Sequence, residues 1–160
     1  AEVYFQKDSF DLALNGDGNY LGFLDIADEY GNTSAGNLAH YYAGISYLRS
    51  GDYEAAIEEL ESFDGAGEML GAVALGAIGD GYMELGDTDA ALNSYEEAIS
   101  ASENNFTSPV YLQKAGFAAE KAGKFDKAID YYTQVKEDYP TTNEGRNADK
   151  YIARAEANLN

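Results

Sequence analysis

The sequence has no cysteine and no tryptophan, and only one histidine, two prolines and two methionines. Without cysteine there are no disulfides and no thiolate metal sites. No apolar run approaches the roughly 18 residues a membrane-crossing helix needs, and no signal-peptide pattern is visible. Nucleophilic catalysis requires a Ser or Cys held against a base, usually His. The single His40 instead falls on the packed face of a helical pattern. No stretch reads as a strand, so no glycine-rich phosphate loop can follow one. The acid pairs at Glu58 and Glu59 and at Glu96 and Glu97 fall on helix positions expected to be exposed and solvated. These absences argue against an enzyme, and neither cofactor nor metal is expected.

Basic residues are scarce too, and unevenly spread. The formal charge is −19. Up to Gln113 only Lys7 and Arg49 stand against 21 acids, whereas from Lys114 onward there are eight bases and eight acids. Such a surface repels nucleic acid, whose binding needs Lys and Arg on phosphate, and it repels anionic lipid headgroups. Two readings of the acidic surface stay open: a solvated shell that keeps the protein soluble, or a docking surface for a basic partner.

What is present is helical periodicity. Hydrophobic residues make up 45% and aromatics 13% of 160 residues, enough for one domain with a continuous core. His40, Ala43, Gly44 and Tyr47 lie at i, i+3, i+4 and i+7, one face of an α-helix. Tyr53, Ala56, Ile57 and Leu60 repeat that spacing after the short turn Ser50, Gly51, Asp52. Gly51 suits the left-handed position that ends a helix, and Asp52 can cap the next one. The stretch 39–63 is therefore an antiparallel helical hairpin. It recurs around Gly79 and Gly116, at steps of 35 and 37 residues, and a period in this range signals a solenoid of stacked hairpins.

With these residues in view the sequence resembles the tetratricopeptide repeat (TPR) family. Gly44, Tyr47 and Ala56, with Leu60 in an aromatic's place, fill the family's small and large positions in one copy. Gly79, Tyr82, Ala91, Tyr95 and Ala98 fill them in the next, and Gly116, Ala128, Tyr132 and Pro140 in the third. Phe63, Val135 and Ala119 depart from the pattern, and no copy has the family's first-turn Trp. The resemblance implies an all-α, right-handed α-solenoid: a degenerate N-terminal hairpin over 1–33, TPR units over 37–71, 72–108 and 109–144, and a capping helix over 145–160.

Along the chain, residues 1–14 read as a first helix with Val3, Phe10 and Leu14 as contacts. Asn15, Asp17 and Asn19 alternate like the start of a calcium loop, but Tyr20 and Ile26 stand where that loop needs Gly and a bidentate Glu. A turn with an Asx cap is the better account. Residues 20–30 continue as a helix with Phe23, Ile26, Ala27 and Tyr30 on one side. Tyr30 and Gly31 parallel Tyr139 and Pro140 at the end of the third copy. Further helices are expected at about 34–50, 66–85, 88–102 and from Ser108 and Pro109 onward, with Ser108 capping and Pro109 at the first helical position. The helix at about 142–159 carries Ala148, Tyr151, Ile152 and Ala155 on one face and Arg146, Lys150, Arg154 and Asn158 on the other. The chain begins at Ala1 without a Met, which reads as a fragment.

The TPR resemblance also implies a partner groove lined by the first helix of each hairpin. Carried onto this chain it comprises Leu38, Tyr41, Ile45 and Leu48; Val73, Gly76, Asp80 and Met83; and Val110, Gln113, Phe117 and Glu120. The Lys and Asn with which some TPR clamps hold a C-terminal carboxylate are absent there, and Asp80 and Glu120 would repel one. The groove suits an apolar or basic segment anchored by Tyr41 and Phe117, unless the chain's own ends fill it. The order of elements, with Leu60 to Gly65 leading toward Gly79, Asp80, Gly81 and Tyr82, resembles more narrowly the periplasmic TPR domain of bacterial ancillary SecYEG translocon subunits. That resemblance implies an N-terminal membrane anchor, the periplasmic face of a bacterial inner membrane, and translocon components or periplasmic chaperones as partners; a cytoplasmic place is the alternative. The function expected is a non-catalytic protein-binding scaffold. The rivals are a self-associating structural protomer, hence a homo-oligomer, and a cell-envelope assembly factor.

Overall fold

The computed structural model describes residues 1–65 and 69–159, which form ten helices and no strand. The chain divides into two compact units, Ala1–Gly65 and Ala66–Asn160. The first holds α1 (Glu2–Phe5), α2 (Phe10–Asn15), α3 (Phe23–Tyr30), α4 (Ser34–Ser50) and α5 (Tyr53–Glu61). The second holds α6 (Met69–Leu85), α7 (Thr88–Ala101), α8 (Ser108–Lys121), α9 (Phe125–Asp138) and α10 (Asn143–Glu156). The start expected for α6 at Ala66 lies outside the described residues.

The hairpin turns follow from local chemistry. Gly51, Gly86 and Gly123 take φ of +86°, +83° and +73°, a left-handed geometry that costs glycine little. Asp52 and Asp87 then accept the amides of Ala55 (3.4 Å) and Ala90 (3.0 Å), capping α5 and α7. In the second unit α6 packs on α7, α7 on α8, α8 on α9 and α9 on α10, so the hairpins stack in chain order.

Glycine inside these helices marks close approach. A Cβ on Gly79 would lie 2.5 Å from the Tyr95 ring, and one on Gly116 would lie 2.3 Å from the Tyr132 ring. Carbon atoms in contact prefer roughly 3.5–4.0 Å. Tyr95 and Tyr132 are buried, so in both α6–α7 and α8–α9 a buried ring sits directly against a glycine. Gly44 receives Leu60 in the same way, which is why Leu60 can replace the aromatic.

Two turns are alike in detail. Thr33 Oγ1 donates to Tyr30 O (2.7 Å) and accepts the Gly36 amide (3.1 Å). Thr142 Oγ1 donates to Tyr139 O (2.8 Å) and accepts the Gly145 amide (3.0 Å). The parallel between Tyr30 and Tyr139 therefore extends through a shared cap, and α3 occupies the place of a second helix in a reduced first hairpin.

Four expectations are corrected. Residues 1–14 are two helices, broken where Asp8 takes φ +56°. Residues five apart sit on nearly opposite faces of a continuous helix. The break brings Phe5 and Phe10 together at 6.0 Å, both under the Arg49 guanidinium. Val3, expected as a contact, is 60% exposed. Tyr30 at the end of α3 is also exposed. Finally, Ser108 does not cap α8: Thr107 holds that position, and the buried Ser108 hydroxyl accepts the Asn104 amide at 2.9 Å. The segment after α2 is the Asx turn expected, with Asp17 Oδ1 accepting the amides of Asn19 and Tyr20 and Tyr4 Oη donating to Oδ2 at 2.6 Å.

The ring-on-glycine contact gives a sign test. Alanine is favoured over glycine in a helix by about 1 kcal/mol, yet at position 116 the buried ring cannot withdraw. Gly116→Ala should lower stability by about 1–3 kcal/mol, read as a shifted urea midpoint. A stabilised variant would show that the contact does not constrain the hairpin.

Candidate functional site

All ten residues singled out for the groove, leaving aside Gly76 and Val110, are half-buried. In the first unit Leu38, Tyr41, Ile45 and Leu48 share one face of α4. Tyr41 leans on Phe63 (ring centroids 5.4 Å) and on Tyr42 (5.5 Å), and burial pushes its phenol pKa up. Behind this face Tyr42 stacks on Phe23 at 5.2 Å, within a cluster that includes Phe5. His40 is half-buried as expected, with Nδ1 2.8 Å from Glu59 Oε2. Glu59 is thereby a partner across the hairpin rather than a solvated carboxylate, a pairing hidden by a sequence separation of 19.

In the second unit Val73, Asp80 and Met83 lie on α6 and Gln113, Phe117 and Glu120 on α8. Gly76, included by the family pattern, is covered: the Tyr111 ring would sit 2.1 Å from its Cβ. Asp80 is not a free acid. Both its oxygens meet Lys114 Nζ, at 2.7 and 2.6 Å, and Oδ1 accepts Tyr95 Oη at 2.7 Å. Glu120 is held by Arg154 of α10, at 2.6 Å from Nη2. Phe117 packs edge-on against Tyr151 at 5.0 Å, with the Arg154 guanidinium 5.5 Å from its ring. The last helix therefore covers part of the α8 face, and Arg154, exposed as expected, also clasps Glu120. The two acids expected to repel a carboxylate are already neutralised from inside.

These pairs belong to a pattern that composition alone did not show. In the second unit Lys114–Asp80, Lys124–Asp89 (2.5 Å), Lys127–Glu96 (2.8 Å), Lys136–Asp149 (2.7 Å) and Arg154–Glu120 each join one hairpin to the next. Tyr131 Oη adds a second donor to Glu96. Exposed pairs contribute only about 0–1 kcal/mol each, so their main effect is on register. In the first unit Arg49 meets Asp8 at 3.4 Å, and the acids Glu2, Asp28 and Glu29 have no basic partner among the described residues. Among the described residues no three His, Asp or Glu side chains are placed to hold a metal ion. Among them, too, no helix is long and apolar enough to cross a membrane.

One tetratricopeptide repeat model matches residues 38–63 and 111–142 and a second matches 72–105, together more than half of the chain. The chain belongs to the tetratricopeptide repeat family, a class of non-catalytic, protein-binding α-solenoids. Among curated proteins it is similar to the photosystem I assembly protein Ycf3 of Prochlorococcus marinus strain MIT 9303, at 28% identity over 123 residues. The match covers 63% of this chain and 66% of that protein, just under two thirds of the relative's length. Ycf3 of a second Prochlorococcus marinus strain is 30% identical over the same shares. Among solved structures, MamA superposes with TM-score 0.69 at 19% identity, covering 99% of this chain and 93% of that one. A Podosopora anserina protein of nearly identical TPR-like repeats, described as a kinesin light chain, gives 0.75 at 12% identity over 99% and 82%. These two likenesses concern the fold alone.

Glu96 ties the hairpin contacts to pH. Burial works to raise its pKa, but the bonds from Lys127 and Tyr131 outweigh it and hold the carboxyl below its ordinary 4.5. A depressed carboxyl stabilises the fold above the unfolded value, and that stabilisation disappears as pH falls through the folded one. Urea melts should therefore show no pH dependence from this group between pH 7 and about 5, and a loss of stability below about 4.5. Glu96→Gln should flatten that part of the profile; an unchanged slope would contradict the assignment.

Proposed function

We propose that the protein is a non-catalytic scaffold that holds an apolar, base-flanked segment of another protein, in the manner of an assembly factor. The observation that carries this is the α4 face, where Leu38, Ile45 and Leu48 stay half-buried beside an acidic surface that Lys7 and Arg49 alone oppose. In the second unit Val73 and Met83 offer the same kind of contact on α6, while Phe117 and Glu120 are engaged by α10. The similarity to an assembly protein supports the assembly role. The periplasmic, membrane-tethered place near the secretion translocon, and a translocon or chaperone partner, are proposed on the translocon resemblance alone. Cell fractionation tests them, since recovery in the cytosol would remove both.

Photo-crosslinking residues at positions 48 and 83, in the source cells, should capture partner protein more strongly than the same residues at the exposed positions 54 and 93. Equal capture from all four would remove the scaffold reading. Partner affinity should also fall as salt rises from about 50 to 500 mM, because exposed charges are screened beyond about 10 Å at 0.1 M. Self-association is the rival, and a mass above that of one chain in light scattering at high concentration would favour it.

A further inference from the structure

Helix α10 sits on residues that the family resemblance gives to a partner. Phe117 and Glu120 of α8 are groove positions, and this helix engages both. Tyr151 lies edge-on to Phe117 at 5.0 Å and tilted against Tyr132 at 5.4 Å. The Arg154 guanidinium stands 5.1 Å from the Tyr151 ring and 5.5 Å from the Phe117 ring. It meets both oxygens of Glu120, through Nε at 3.3 Å and Nη2 at 2.6 Å.

The grip of α10 is shallower than that of its neighbours. Helix α7 buries Leu92 and Tyr95, α8 buries Tyr111 and Leu112, and α9 buries Tyr132 and Val135. The buried residues of α10 are Gly145, Ala148 and Ala155, while Tyr151 and Ile152 stay half-buried. An element with few buried apolar contacts opens at a lower free energy than the fold as a whole. The seat is also imperfectly filled. Among the described residues the buried Tyr132 hydroxyl has no hydrogen-bond partner, although buried polar atoms are normally satisfied.

Glu120 limits what can take the place of α10. Its side chain is 16% exposed, and an enclosed carboxylate is costly without a cation beside it. A replacement must therefore bring its own positive group together with an aromatic ring. Tyr151 and Arg154 are three residues apart, which makes them neighbours on a helix. On an extended segment the same spacing sends the two side chains to opposite sides. The shape that fits is a helix.

We infer that α10 is a tethered ligand screening the α8–α9 face, and that an amphipathic helix of a partner protein, with an aromatic residue followed three positions later by arginine, displaces it. This rests on the scaffold reading and adds an autoinhibited seat to the open α4 stripe. Phe117 and Glu120 become partner contacts when α10 leaves.

The probe is a labelled synthetic peptide of residues 143–159, titrated by fluorescence anisotropy into the full chain. A covered seat takes up ligand in proportion to the fraction of molecules in which its cover is away. Tyr151→Ala with Arg154→Ala in the protein should therefore raise affinity for the unaltered peptide at least about tenfold, with melting curves confirming the fold. Asn147→Ala, on the exposed side of α10, should change it less than about twofold. A peptide carrying the Tyr151→Ala and Arg154→Ala changes should bind the loosened protein at least about tenfold more weakly, and adding Glu120→Gln to that protein should weaken the unaltered peptide by a similar factor. In the unaltered chain, amide hydrogen exchange should be at least about tenfold faster in α10 than in α8 and α9, a readout that decides the matter if the loosened variant does not fold. Equal protection of the three helices, no gain on loosening, or equal binding of the altered peptide would each overturn the proposal. The scaffold reading survives that failure if positions 48 and 83 still capture partner protein, and falls with it if they do not.

Discussion

The structure depends on one contact: in α4–α5, α6–α7 and α8–α9 the side chain closing the hairpin rests on a glycine in the helix that opens it. Tyr95 on Gly79 and Tyr132 on Gly116 bring paired helices close enough for the alanines around them, Ala91 and Ala98 or Ala119 and Ala128, to be fully buried. A core built from alanine gains little from each residue, so it must be dense to be stable. Glycine at the contact and tyrosine across it supply that density. The arrangement also explains how a chain with so few large aliphatic residues holds together.

Charge acts at a coarser level. Four of the eight bases from Lys114 onward meet acids of the preceding hairpin, as Lys114 meets Asp80 and Arg154 meets Glu120. Half of the bases in the last third are thus used in stacking, and the excess negative charge of the first unit has no such internal use. The acidic surface divides into a part neutralised within the fold and a part that faces outward, with Glu2, Asp28 and Glu29 in the second group.

Helices and turns were legible in the sequence because their causes are local. Glycine at 51, 86 and 123 announces left-handed turns, and a period of 3.6 announces the faces. The break after α1 was not legible, because Asp8 adopts positive φ with neither Gly nor Pro to mark it. Nor were the partners of Glu59, Glu96, Asp80 and Glu120, which come from helices that only folding brings alongside. The family pattern placed Gly76 in the groove because it reads positions along one helix; the Tyr111 ring that covers it arrives from the next hairpin.

The matched turns at Thr33 and Thr142 have a consequence of their own. Each sets the entry angle of the following helix through the same threonine and glycine. A whole number of hairpins could be deleted or duplicated between two such junctions, and the incoming helix would meet the same cap. The polypeptide thus carries interchangeable joints, the property that lets a repeat array lengthen or shorten during descent without redesigning its ends.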